Sequence, residues 1–149
     1  MAGTRKYYTI EEANQTLPFV KAVVADIVRQ YREVSDRRDR LEAIRKRDKK
    51  GRDSVYSEEV AHIEQEFEKD VRVLQGFLDE LNSLGVEFKD FEKGLLDFWS
   101  KMDGRDVFLC WHLGEDEVSH WHEVDAGFAG RQSLLAGSTT GTEEEENGA

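Results

Sequence analysis

Leu17, Val20, Val24, Ile27, Tyr31 and Val34 recur at alternating steps of three and four. That is the 3.5-residue repeat of a helix lying lengthwise against another helix. Thr9 and Glu12 have the spacing of a capping box just ahead of this stripe. Pro18 stands deeper than the first turn, so it either kinks the helix or moves its start towards Thr16. The next repeat positions are Arg38 and Leu41, so the stripe fades where charge becomes dense. A second stripe runs through Val60, Ile63, Phe67, Val71, Leu74, Leu78 and Leu81, widened by Phe77 and Leu84. Ser57 followed by Glu58 and Glu59 marks its start, with acids beside the positive end of the helix dipole. The spacing predicts helices over about 9–49 and 57–84, joined by a turn over 50–56 with Gly51 as the breaker. The stripes are wider than one seam requires, so a further layer has to cover them.

That layer begins after Gly85, where the apolar period changes to two. Val86 and Phe88 share one face of a short strand, and Lys93-Gly94 reads as a turn. Leu95 to Trp99 follows as a second strand, then Asp103-Gly104, a strong hairpin signal. Val107 to Leu113 and Val118 to Val124 are two more β-forming runs separated by a turn. The expected fold class is α+β: a long antiparallel helical hairpin packed with a small C-terminal antiparallel β-sheet. One domain spans 1–134, with its β-rich part at 86–131. Residues 135–149 are expected to be a disordered acidic tail, because they lack apolar periodicity.

Charge divides unevenly along the chain. Residues 1–85 hold 16 Lys/Arg against 17 Asp/Glu, whereas residues 86–149 hold 5 against 15. Nucleic-acid affinity comes from neutralising phosphates, so this balance argues against a general nucleic-acid binder. The basic run at Arg45, Lys46, Arg47, Lys49, Lys50 and Arg52 has no aromatic residue for base stacking and reads as a solvated helix tip. No apolar run approaches the length of a membrane span, and the first ten residues lack the apolar core of a secretory signal. A lone cysteine suits a reducing cytoplasm. The coiled-coil spacing and the length of the helices point to a homodimer with helices side by side.

Chemistry-bearing residues concentrate between 103 and 131. Cys110, His112, His120 and His122 are candidate ligands for zinc or another divalent metal, in a C-x-H…H-x-H arrangement on a hairpin. Their convergence depends on register. Pairing Leu113 with Val118 puts Leu109 opposite His122 and splits the four between faces; a bulge or odd-length turn unites them. His122 near Glu123 and Asp125 suggests an acid–base pair, with Glu115 a further acid. Arg131, after two glycines, offers a planar fork for a carboxylate or phosphate, and Arg105 and Trp121 are further ligand candidates. The plainer reading makes Arg131 an ion-pair partner of Asp125 or Glu115 and Cys110 a small buried hydrophobe. His62, alone on the second helix, reads as an exposed histidine.

The segments YYTIEEANQTLP at 7–18 and DGRDVFLCWHLGEDEVSHWHEVDAGFAGRQSL near the end resemble the prokaryotic family called domain of unknown function 2203. The resemblance covers nearly everything up to residue 134. Its matching positions are Asp103, Gly104, Arg105, Cys110, Trp111, Gly114, Glu115, Trp121, His122, Asp125, Gly127, Gly130 and Arg131. Trp99, His112 and His120 depart from it, which favours His122, Glu115, Asp125, Arg131 and Cys110 over a four-ligand hairpin site. The resemblance implies a small cytosolic protein with long helices and a β-rich end, and implies no activity. Two functional expectations follow. One is a homo-oligomeric binding or scaffold protein whose β module recognises a small anionic ligand or a protein segment. The other is a small enzyme using His122 with an acidic partner, with or without a metal.

Overall fold

The Thr9 amide donates to Glu12 Oε1 and the Glu12 amide to Thr9 Oγ1, both at 3.0 Å. This reciprocal cap starts the first helix, α1, at Ile10. The computed structural model describes residues 5–47 and 54–134. Within it α1 spans Ile10–Arg47, 38 residues or about 57 Å at 1.5 Å per residue. Pro18 lies inside α1 and does not displace its start to Thr16, whose hydroxyl donates to Ala13 O at 2.7 Å. The second helix, α2, spans Ser54–Ser83. It begins three residues before Ser57, and no glycine or proline stands between them to stop it. Gly51 and the acidic tail at 135–149 lie outside the described residues.

The two helices run antiparallel. Arg37 Nε meets Asp70 Oδ2 at 2.6 Å, Gln30 Nε2 donates to Asp70 O at 2.9 Å, and Arg45 pairs with Glu64 nearer the tip. The stripe read on α1 is buried at Leu17, Val20, Val24, Ile27 and Val34. Leu41 and Ile44 form a smaller separate cluster with Ile63 near the tip, so the apolar seam resumes beyond the charged stretch. On α2, Leu74 and Leu81 are buried, whereas Val71 is 39 % exposed. A straight helix turns every 3.6 residues, so a 3.5-residue stripe drifts off the seam along its length.

Five antiparallel strands follow in a simple meander: β1 Val86–Asp90, β2 Leu95–Met102, β3 Arg105–His112, β4 His120–Glu123 and β5 Gln132–Ser133. The fold class is α+β, as the change of period from 3.5 to two requires. Alternation gives the sheet two unlike faces. Val86, Leu96, Phe98, Val107, Leu109, Trp111 and Trp121 turn inward and join the helices in one apolar core. The N-terminal segment lies along the part of β2 that β1 leaves unpaired. The Tyr8 amide donates to Trp99 O at 2.7 Å, and Ser100 Oγ donates to Tyr8 O at 2.6 Å.

Helix and sheet approach closely at Gly94, in the turn between β1 and β2. Its φ is +65°, and a Cβ there would meet Val24 Cγ1 at 2.8 Å and Leu113 Cβ at 2.9 Å. Gly94→Ala should therefore cost about 2 kcal/mol through left-handed strain and overpacking. Urea unfolding measures it. A change under ~0.5 kcal/mol, the ordinary surface value, would mean the turn moves freely away from α1.

Candidate functional site

The outward face of the sheet carries the chemistry. Cys110 pairs with His120, Phe108 with His122 and Leu109 with Trp121. The register is shifted by one from pairing Leu113 with Val118, so Cys110, His112, His120 and His122 share one face. The cause lies in α1. Asn14 Oδ1 accepts from the Val118 amide at 2.7 Å, and Asn14 Nδ2 donates to Val118 O at 3.4 Å. Val118 is thereby held against the helix, 2 % exposed, outside the β3–β4 ladder.

Two adjoining groups form on this face. The first joins three strands: Asp97 on β2, Cys110 on β3 and His122 on β4. Asp97 and Cys110 are directly paired, and His122 lies two pairs further along, the next on the same face. They are 4 %, 0 % and 2 % exposed. His122 Nδ1 is 2.8 Å from Glu123 O, so Nδ1 carries a proton and donates it. Nε2 then faces Asp97 Oδ1 at 3.1 Å. The Cys110 Sγ and an Asp97 carboxylate oxygen lie within 4.8 Å of each other. Burial pushes the Asp97 carboxyl up, against the pull of the neighbouring imidazole. Burial and the facing carboxylate push the Cys110 thiol up to about 12. Phe108 stacks obliquely on Trp99, 4.2 Å between ring centres, and the Arg5 guanidinium lies 3.6 Å over Trp99. The Phe108 ring in turn lies 5.5 Å from the His122 ring, centre to centre.

The second group centres on Glu115. Arg131 Nη2 donates to both Glu115 oxygens at 2.9 Å, and the His112 amide donates to Oε1 at 3.0 Å. His112 Nε2 and His120 Nδ1 lie 3.6 and 3.5 Å from Oε2. Both members of the ion pair are largely buried, at 15 % and 17 % side-chain exposure. Burial raises the Glu115 carboxyl, but Arg131 and the His112 amide more than offset it and hold the group below its usual range. The Phe128 ring lies beneath the Arg131 guanidinium at 4.9 Å. Phe128 belongs to a single 3-10 turn, Phe128–Gly130, that brings the chain back to β5.

The structure thus brings His122 to Cys110, and gathers Glu115, Arg131, His112 and His120 beside them. Other candidates lie apart. Asp125 is exposed in the turn after β4. Trp121 faces the helix-side core. Arg105 forks onto Glu123, at 3.1 and 2.6 Å, at the sheet's outer edge. His62 is exposed on α2. Sequence reasoning missed Asp97. The available signal was an acid in the middle of the apolar run LLDFW, where an unpaired carboxylate is costly to bury.

Asp97, Cys110 and His122 each offer one ligand atom, and these three atoms lie within 4.8 Å of one another. Neither the curated proteins nor the solved structures provide a match to the chain. The family described as "Uncharacterized conserved protein (DUF2203)" matches residues 6–134, the same span that forms the helical hairpin and the sheet, and the chain belongs to it.

Proposed function

We propose that this protein is a homo-oligomeric scaffold whose helices pair two copies and whose β module recognises a protein segment. The observation that carries this reading is the apolar stripe of α2. Val71 is 39 % exposed, and Phe67, Phe77 and Leu78 on the same helix are half-buried although α1 already packs there. A second hairpin laid alongside would cover them in a four-helix arrangement.

A protein segment suits the β module better than a small anion. Arg131, the cation best placed to hold an anion, already donates to a buried carboxylate. A free anion would have to displace Glu115 and leave its charge buried. The enzymatic alternative draws on the contact between His122 and Asp97. It ranks second because both side chains are closed to solvent, whereas a general base needs to reach a substrate proton. No helix among the described residues is long and apolar enough to cross a membrane. The single cysteine and the acidic balance favour a cytoplasmic protein that does not bind nucleic acid.

Light scattering coupled to size exclusion tests the assembly. The full chain should elute with about twice its 17.2 kDa. Val71→Glu should shift it to a single chain with little change in melting temperature, because Val71 is exposed within one copy. A wild-type mass of one chain at micromolar concentration would overturn the proposal.

A further inference from the structure

The geometry points to a built binding site for a zinc-like divalent cation, held by Asp97, Cys110 and His122, that ties β2, β3 and β4 together. This inference is independent of the scaffold reading and survives its failure.

The orientation of His122 carries the argument. Its Nδ1–H is committed to the Glu123 carbonyl at 2.8 Å. The remaining nitrogen, Nε2, faces a carboxylate oxygen at 3.1 Å. With Nδ1 already donating, Nε2 and the carboxylate need either a proton or a metal cation between them, and the third donor beside them, the Cys110 thiol, suits the cation. A carbonyl holding the far nitrogen is also the usual support of a metal-bound imidazole, since it fixes the tautomer and the ring plane. The neighbouring thiol completes a nitrogen, oxygen and sulfur donor set, which suits zinc and its close relatives better than magnesium or calcium.

Spacing agrees with this. Donors at 2.0–2.3 Å from a tetrahedral ion stand roughly 3.3–3.8 Å apart. The three ligand atoms already lie within 4.8 Å of one another, so small side-chain rotations close the site. The sheet supplies the rigidity: Asp97 and Cys110 are directly paired, and His122 is on the next strand of the same sheet. His112 and His120 are turned to Glu115 instead, so the site differs from a four-ligand hairpin centre. Binding replaces the thiol proton, which passes to solvent, and no electron moves. The fourth position is left for water.

Cobalt(II) is the probe, because a thiolate bound to it gives a charge-transfer band in the near ultraviolet. The full chain is stripped with a chelator, unfolded in urea and refolded with cobalt, so that burial does not block entry. The expected result is one cobalt per chain with a thiolate band that zinc abolishes. Cys110→Ser should remove the band. Asp97→Asn and His122→Asn should each weaken binding at least about tenfold. His62→Asn should change nothing. Absence of the band in the refolded wild-type chain would overturn the inference, whatever the variants do. A band that persists in Cys110→Ser would overturn it equally, since this chain has no other cysteine.

Discussion

Arg131→Ala should destabilise the protein by about 3 kcal/mol, because it leaves the Glu115 carboxylate buried without its counter-charge. Glu115 is 17 % exposed and Arg131 15 %, so water replaces little of the lost interaction. For a chain of this size that is a fall of roughly 10 °C in melting temperature. The penalty depends on pH with a definite sign. The folded-state pKa of Glu115 lies below its ordinary value. Its pairing therefore stabilises the protein above the unfolded pKa and is lost as pH falls through the folded one. The gap between wild type and Arg131→Ala should be widest near neutrality and close on acidification. A double-mutant cycle with Glu115→Gln isolates the pair. A loss below ~1 kcal/mol at pH 7, the range of exposed pairs, would mean that the loop carrying Arg131 is far more open than the structure has it.

The pairing of Arg131 illustrates what a sequence does and does not reveal here. An arginine after two glycines leaves two readings open in the sequence, a fork for a ligand and an ion pair fastening the loop to the sheet. The choice of Glu115 over Asp125 does not follow from residue type. It depends on the turn after β3, where the Trp111 indole N–H donates to Glu115 O at 2.9 Å and orients that residue inward. The helices were legible because their signal is local: a capping box at Thr9 and Glu12, then apolar residues at steps of three and four. The strands were legible wherever alternation or Asp-Gly marked them, and β5, only two residues long, was too short to announce itself.

The site was less legible because its geometry rests on distant contacts. The register that unites Cys110 with His120 and His122 is set by Asn14, 104 residues before Val118. No pattern within the hairpin contains that information. Asp97 was hidden for a related reason: in LLDFW it looks like an outward polar residue on an alternating strand. It does face outward, but onto a face that Trp99, Phe108 and the returning loop help to bury.

The same burial makes Cys110 a reporter of unfolding. Its thiol is 0 % exposed and pushed up to about 12 by burial and the facing Asp97 carboxylate. An ordinary thiol ionises near 8.5, so at equal pH the thiolate fraction falls by more than about a thousandfold before access is considered. The native protein, refolded from urea and chelator without metal, should therefore react with a disulfide reagent at least ~10³ times more slowly than the chain in urea. Chelation ensures that a bound cation is not the cause of the protection. If reaction proceeds through opening, its rate should follow the population of opened molecules. Gly94→Ala should then speed labelling by about thirtyfold, the factor that corresponds to ~2 kcal/mol. Labelling of native wild type within tenfold of the unfolded chain would show that the outward face opens readily. The closed cluster of Asp97, Cys110 and His122 would then be reachable by solvent, and the case for an acid–base role of His122 would rise at the expense of the scaffold.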